Sequence, residues 1–118
     1  MKDRNYYGAM MVEMGEADAL ISGLTKDYPK TILPALQVIG VKPGVNRVAG
    51  MYIMNTSKGP FFFSDTTVNV NPTADQLVEI VGLTASGVRF FNIEPRVAML
   101  SYSNFGSAKG EVASKTAL

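Results

Sequence analysis

The chain contains no cysteine, no histidine and no tryptophan. Without cysteine and histidine it cannot build a conventional zinc site, a disulfide framework, a thiolate nucleophile or a catalytic triad whose base is imidazole. We therefore expect neither a metal site nor a catalytic residue of these kinds within the chain. The lack of cysteine also fits a cytoplasmic protein, which is the location we expect.

Charge of either sign is sparse and evenly spread. The 118 residues carry 11 basic and 10 acidic side chains, and the formal net charge is +1. Because lysine and arginine occur singly, no basic stripe could neutralise many phosphates, so nucleic acid is a poor candidate partner. No apolar run approaches the roughly 20 residues that a membrane-spanning helix needs, and the acidic N-terminal stretch does not resemble a signal peptide.

The hydrophobic pattern predicts alternating helices and strands in one segment, residues 1–118. We predict helices at 6–14, 26–40, 73–91 and, weakly, 111–118, and strands at 17–22, 47–56, 60–66 and 96–101. The second and third strands are close enough along the chain to form an antiparallel hairpin. Alternation of this kind favours an α/β fold, a layered sandwich with a mixed, mainly parallel sheet.

The ends of the helices carry recognisable signals. Asp3 is suited to cap the first helix, and Gly15 to end it. Pro34 lies within the second helix, which it would tolerate best in the first turn, with Thr31 as the N-cap. Thr73 and Gln76 form a capping box at the start of the third helix, which makes that helix the clearest in the chain.

Polar segments follow the predicted strands at 22–31, 65–73 and 101–110, where ligands gather in open α/β sheets. In the last of these, small residues and hydroxyls could form a phosphate cradle, but a simple Ser/Gly-rich connection explains them equally well. The candidate ligand-binding residues of this segment are Ser101, Ser103, Asn104, Gly106 and Ser107.

Asp65, Thr66 and Asn69 are further candidates, since their side chains could position a polar ligand. Turn chemistry that leads into the following helix explains the same residues, and we favour that interpretation about two to one. No pair of side chains suggests itself as a general acid and base.

Four blocks of the sequence are specific enough, by the order of their residues, to indicate a protein family. They are residues 7–23 (YGAMMVEMGEADALISG), 34–39 (PALQVI), 69–77 (NVNPTADQL) and 92–103 (NIEPRVAMLSYS). Together they resemble the phosphate acetyltransferase and butyryltransferase family, in order and in spacing. The block at 103–107 (SNFGS) resembles the version in the C-terminal phosphotransacetylase-like domain of large bacterial NADP-dependent malic enzymes, whereas free-standing acetyltransferases tend to have a Thr-Lys pair between this serine and glycine.

The resemblance implies a two-domain α/β architecture, like that of phosphotransacetylase and isocitrate dehydrogenase, with coenzyme A and acyl phosphate meeting in the cleft. This chain would be the middle part, and the family's catalytic serine, arginine and aspartate would lie outside it. True acetyltransferases of this family usually place His, Ser or Thr residues before an Ala-Asp-Thr, and then an arginine before Pro-Ala-Leu-Gln. Here residues 26–30 (KDYPK) precede Thr31, and Leu33 stands in place of that arginine. NADP and a divalent metal would belong only to the absent malic-enzyme part.

We therefore expect a fragment of the phosphotransacetylase-like domain of a malic enzyme, which binds acetyl-CoA or phosphate and serves regulation and homo-oligomerisation. The alternative is part of a catalytically active phosphate acetyltransferase, converting acetyl phosphate and CoA to acetyl-CoA and phosphate. A third interpretation is an interaction module with no ligand.

Overall fold

The computed structural model describes residues 3–101 and 110–116. The chain divides into two compact units, Met1–Asn46 and Arg47–Leu118. The first unit consists of helices and connecting segments, and the second combines helices with a small antiparallel sheet. Within the described ranges, no helix is both long and apolar enough to cross a membrane.

The first unit is built on two helices, α1 (Arg4–Glu13) and α2 (Tyr28–Val38), which pack against each other. The Asp3 side chain accepts a hydrogen bond from an α1 amide, which confirms the predicted cap. Gly15, with φ at 73°, follows the end of α1, so the predicted end is confirmed as well. Ala9 of α1 is fully buried and Pro34 of α2 is buried, which puts the core of this unit between the helices.

The N-cap predicted for α2 at Thr31 is wrong. The helix begins one turn earlier, with Asp27 as N-cap and Pro29 in the first turn, and Pro34 lies in its interior. The fixed φ of Pro29 is already helical and its missing amide would have no helical partner there, so this proline favours the earlier start. The Thr31 hydroxyl instead donates to the Asp27 carbonyl at 3.2 Å.

The second unit contains β1 (Met51–Thr56), β2 (Gly59–Ser64), α3 (Ala74–Phe90) and the short α4 (Glu111–Ser114). The strands pair antiparallel, which confirms the predicted hairpin. The third predicted helix is confirmed by α3, which packs on the sheet: the Phe62 and Phe91 ring centres are 5.8 Å apart. Met51 lies against Gly87, where an added Cβ would come within 3.1 Å of the Met51 methyl carbon.

The strands predicted at 17–22 and 96–101 are wrong as descriptions of this structure, which has no strand at either place. A strand is stable only when its backbone amides and carbonyls pair with a neighbouring strand, and the described residues provide none for these two segments. Ile21, in the first of these segments, is 98% exposed. The helices and the two-stranded sheet agree with an α/β composition, whereas the mainly parallel sheet stays a prediction.

The capping box at the start of α3 is confirmed: Thr73 Oγ1 accepts from the Gln76 amide at 3.3 Å, and Gln76 Oε1 accepts from the Thr73 amide at 3.0 Å. We expect Thr73→Ala to destabilise the first turn of α3 by about 1 kcal/mol. Amide hydrogen exchange in that turn should then accelerate roughly fivefold. Thr73→Ser keeps the acceptor oxygen and is the matched control; equal acceleration in both variants would contradict the capping role.

Candidate functional site

The Asp65 carboxylate, directly after β2, is surrounded by donors. Its Oδ1 accepts from the backbone amides of Gly50 at 2.9 Å, Thr67 at 3.0 Å and Val68 at 3.1 Å. Its Oδ2 accepts from Asn69 twice, from the backbone amide at 2.6 Å and from Nδ2 at 2.5 Å. The carboxylate thus closes the turn at 65–69 and ties it to the backbone that precedes β1.

This environment makes Asp65 a stronger acid than an ordinary aspartate. Partial burial by itself would raise the pKa of Asp65, but the hydrogen bonds from Thr67, Asn69, Gly50 and Val68 outweigh it and lower the pKa from 3.8 to about 2. The side chain is therefore ionised at neutral pH. A negative charge at this position would repel a phosphate group rather than bind it.

Asn69 connects this carboxylate to the ion pair between Arg47 and Glu79. Asn69 Nδ2 also donates to the Val48 carbonyl at 3.0 Å, and Asn69 Oδ1 accepts from Arg47 Nη1 at 3.2 Å. Arg47 Nε in turn donates to Glu79 Oε2 of α3 at 2.5 Å. The amide group of Asn69 therefore has protein partners for both its nitrogen and its oxygen.

Thr66 differs from its neighbours. Its hydroxyl oxygen is buried and has no hydrogen-bond partner among the residues that the structure describes. It lies against Gly50, where an added Cβ would come within 3.0 Å of that oxygen and would overlap the Thr67 hydroxyl. The backbone opposite this turn therefore has room only for glycine at position 50. Among the three candidates in the turn, Thr66 is the one whose buried side-chain oxygen lacks a hydrogen-bond partner within the described residues.

The sequence-predicted site residues thus fall into two groups. Asp65, Thr66 and Asn69 lie together in one turn, whose contacts are those expected of turn chemistry, and their ligand role stays a prediction. Ser101 is described and exposed. The remaining candidates lie outside the described residues: Ser103, Asn104, Gly106 and Ser107.

The first unit contains a groove of about 450 Å³, lined by Arg4, Asn5 and residues 20–26. It occupies the beginning of the polar segment 22–31, which the sequence marks as a candidate ligand site. Hydroxyl, amide and apolar side chains all face the groove, among them Ser22, Thr25 and Leu24.

Asn5 joins the groove-lining segment to α2 through two hydrogen bonds. It is only 5% exposed, and its Oδ1 accepts from the Ser22 hydroxyl at 2.7 Å. Its Nδ2 donates to the Lys30 carbonyl of α2 at 3.4 Å. That carbonyl lacks its usual helical donor because the residue four positions later is Pro34, which has no amide hydrogen. Asn5 therefore supplies the hydrogen bond that the proline removes.

Both lysines of the altered 26–30 segment are held in ion pairs. Lys26 Nζ lies 2.6 Å from Asp3 Oδ2, and Lys30 Nζ lies 2.6 Å from Asp27 Oδ2. The hydrogen bond from Lys26 lowers the pKa of Asp3 below its ordinary value, and the Asn5 amide adds to this effect. Each ammonium group is thus partly neutralised by a neighbouring carboxylate.

Sequence reasoning missed Asn5 as the residue that joins the groove to α2. A signal was present, since a proline inside a helix leaves a carbonyl four residues earlier in need of a donor. Which residue supplies that donor depends on how α1 and α2 pack, and the sequence does not specify this. Over residues 3–101 and 110–116, no group of acidic side chains is suited to hold a metal ion.

Comparison with protein-family models gives a match over residues 1–117 to the family described as phosphate acetyl/butaryl transferase. Phosphate acetyltransferase of Bacillus subtilis is 43% identical over 115 residues, which are 98% of this chain and 36% of that protein. The NADP-dependent malic enzyme of Salmonella typhimurium is 45% identical over 108 residues, which are 92% of this chain and 14% of the enzyme.

Among solved structures, a phosphotransacetylase from Streptococcus pyogenes superimposes with a TM-score of 0.81 at 42% identity. The match covers 94% of this chain and 34% of that protein. The chain therefore spans about a third of the length of these acetyltransferases and a smaller share of the malic enzyme.

Proposed function

The chain belongs to the phosphate acetyl/butaryl transferase family, and from this we propose that it is the middle part of the phosphotransacetylase-like domain of an NADP-dependent malic enzyme. In this proposal the domain binds acetyl-CoA or a phosphate compound, and its occupancy regulates malate oxidation and supports a homo-oligomer. NADP and a divalent metal would act in the malic-enzyme part of the polypeptide, and the whole protein would be cytoplasmic.

The observation that carries this proposal is the segment before Pro34. Where the family usually has an imidazole and an arginine, this chain has two lysines paired with carboxylates and a half-exposed Leu33. Stabilising the charge that develops during acyl transfer requires cations or amides aimed at the reacting group. The loss of these groups supports a binding role over catalysis.

The residues that we propose for the ligand are those of the last polar segment, with the turn at 65–69 beside them. Of the three candidates in the turn, Thr66 is the one suited to donate a hydrogen bond to an anionic ligand, because its buried hydroxyl has no partner within the described ranges. Asp65 and Asn69 would hold the backbone behind it and would not touch the anion. The last segment would contribute backbone amides and the hydroxyls of Ser101, Ser103 and Ser107, with Asn104 and Gly106 shaping the turn.

Calorimetry of the full-length protein with acetyl-CoA tests the proposal, together with malate oxidation measured in the same buffer. We expect saturable heat of binding and a change in the rate of malate oxidation over the same concentration range. If acetyl-CoA releases no heat and leaves malate oxidation unchanged, the regulatory role is excluded.

The second candidate is a working phosphate acetyltransferase, and the names of the Bacillus subtilis and Streptococcus pyogenes relatives favour it. The CoA thiolate would attack the acyl carbon of acetyl phosphate, forming the thioester and releasing phosphate, with the protein supplying orientation and charge stabilisation. An assay of the full-length protein for acetyl-CoA formed from acetyl phosphate and CoA separates the two candidates. Turnover at the rates of ordinary enzymes, about 1 s⁻¹ or faster, would favour this one.

The double variant Ser103→Ala/Ser107→Ala tests the ligand site. Each hydroxyl that donates to a charged group contributes about 1.5 kcal/mol, so we expect acetyl-CoA binding to weaken at least tenfold. The matched control is Ser57→Ala/Ser86→Ala, which removes two hydroxyls from the β1–β2 turn and from α3. An unchanged dissociation constant in the first variant would exclude these serines from the site.

A further inference from the structure

One face of the β1–β2 hairpin is apolar and exposed throughout. In the antiparallel register Tyr52 pairs with Phe63 and Met54 with Phe61, so these four side chains project from the same face. Their exposed fractions lie between 41% and 58%. We call this surface the outer hairpin face; it contains no charged residue.

The opposite face of the hairpin is covered in part, at Met51 and Phe62, while Ile53 between them stays 44% exposed. There Met51 contacts Gly87 of α3, and the Phe62 ring packs against Phe91. Both faces carry large apolar side chains, and among the described residues only the face of Met51 and Phe62 has a helix packed against it. A strand whose two faces both carry large apolar side chains is typical of a sheet covered on both sides.

The size of the outer hairpin face indicates what covers it. Four large side chains, each about half exposed, present about 400 Å² of apolar surface. A stable dimer needs about 800 Å² from each partner, so this face is too small to hold two copies together by itself. Its width, two strands about 5 Å apart with their side chains, matches the diameter of one helix, about 10 Å.

We propose that the outer hairpin face is the docking site of an amphipathic helix from the same polypeptide. This helix would belong to the part of the family's domain that lies outside residues 1–118. The relatives provide the necessary length, because the acetyltransferases are about three times as long as the region matched here. The docking helix would present an uncharged apolar stripe to Tyr52, Met54, Phe61 and Phe63. The sheet would then lie between two helical layers, independently of which ligand the domain binds.

Photo-crosslinking in the full-length protein tests this proposal. Benzoylphenylalanine is placed at Phe61 on the outer hairpin face, at Phe62 on the covered face, or at Lys58 in the β1–β2 turn as the solvent control. The protein is prepared as a mixture of ¹⁴N- and ¹⁵N-labelled copies, so that mass spectrometry distinguishes links within one copy from links between copies. A link from Phe62 to residues of α3 confirms that the protein is folded.

The expected result is a link from position 61 to a peptide outside residues 1–118 of the same copy. Links between ¹⁴N and ¹⁵N copies at this position would assign the face to a second copy and overturn the proposal. A yield at position 61 no higher than at Lys58 would leave the face in solvent and overturn it too.

A smaller substitution guards against disruption by the bulky probe. In the full-length protein, the thiol of Met54→Cys should react with a water-soluble maleimide at least tenfold more slowly than that of Lys58→Cys, and the protection should persist on dilution to the monomer. Equal reaction rates, or protection that disappears when copies dissociate, would contradict a helix from the same chain.

Discussion

Replacing Asp65 by alanine is expected to release the turn at 65–69 and to accelerate amide exchange there about a hundredfold. The substitution removes the acceptor for three backbone amides of the turn and for the Gly50 amide. Hydrogen bonds to a charged group contribute about 1.5–3 kcal/mol, and leaving buried donors unpaired adds to the cost. Because the amides share one carboxylate and partly face solvent, we expect a net loss of about 3 kcal/mol. Hydrogen exchange followed by mass spectrometry on peptides covering residues 64–70 of the full-length protein gives the measurement.

Asp65→Asn separates the charge from the shape of this side chain. The amide keeps one acceptor oxygen but points an NH₂ donor at backbone donors, so we expect most of the destabilisation to remain. Val70→Ala shortens a fully exposed apolar side chain next to the turn and serves as the control. Normal protection in Asp65→Asn would contradict the role of the charge.

The same carboxylate predicts how the turn responds to acid. The pKa of Asp65 is lowered from 3.8 to about 2 in the folded chain, so the unfolded chain takes up the proton first as the pH falls. The stabilisation is therefore complete above about pH 5 and is lost progressively as the pH falls from there toward 2. After discounting for solvent screening, we expect about 1 kcal/mol from this effect. Protection of residues 64–70, corrected for intrinsic exchange, should fall over this range in the wild type and stay flat in Asp65→Asn.

Replacing Asn5 by leucine is the second large change that we expect. It leaves the Ser22 hydroxyl without its acceptor and the Lys30 carbonyl without its donor, while keeping the side chain at a similar size. Ser22 and Lys30 are exposed residues whose hydrogen bonds to Asn5 are part-buried, so each bond contributes about 1 kcal/mol, and amide exchange in segment 20–26 and in the first turns of α2 should rise about thirtyfold. The groove-lining segment 20–26 would lose the bond from Ser22 that joins it to α1.

Two milder variants divide this effect between the two hydrogen bonds. Ser22→Ala removes only the bond to Oδ1 and should cost about 1 kcal/mol. Asn5→Asp keeps that acceptor but turns a negative oxygen toward the Lys30 carbonyl. If Ser22→Ala proved as damaging as Asn5→Leu, the bond to the Lys30 carbonyl would contribute nothing, and the link between Pro34 and Asn5 would be refuted.

The predictions that succeeded rest on neighbouring residues. The Thr73–Gln76 capping box and the Asp3 cap each depend on side chains within three residues of the amides they bind, so the sequence contains all the necessary information. The Asp65 turn is of the same kind, apart from its bond to Gly50. Turn chemistry was accordingly the interpretation favoured from the sequence.

The predictions that failed depend on distant partners. An apolar run such as 17–22 has the composition of a strand but becomes one only where another strand pairs with it. The start of α2 depended on two prolines, and sequence reasoning gave Pro34 the place that Pro29 holds. The bond from Asn5 to the Lys30 carbonyl crosses 25 residues and exists only because α1 lies against α2.

The tie between Asp65 and Gly50 has a consequence for how the hairpin can misfold. The two residues directly follow the Met51–Ser64 pair, where the ladder ends, and the Gly50 carbonyl also accepts from the Thr66 amide at 3.2 Å. If one strand slid by a single residue, Tyr52 and Phe61 would turn toward opposite sides of the sheet, and the clasp at the open end would come apart. The ionised Asp65 carboxylate at the open end of the hairpin therefore favours the native register. This matters because both faces of the strands carry large apolar side chains, so that the side-chain pattern alone distinguishes one register from the next only weakly.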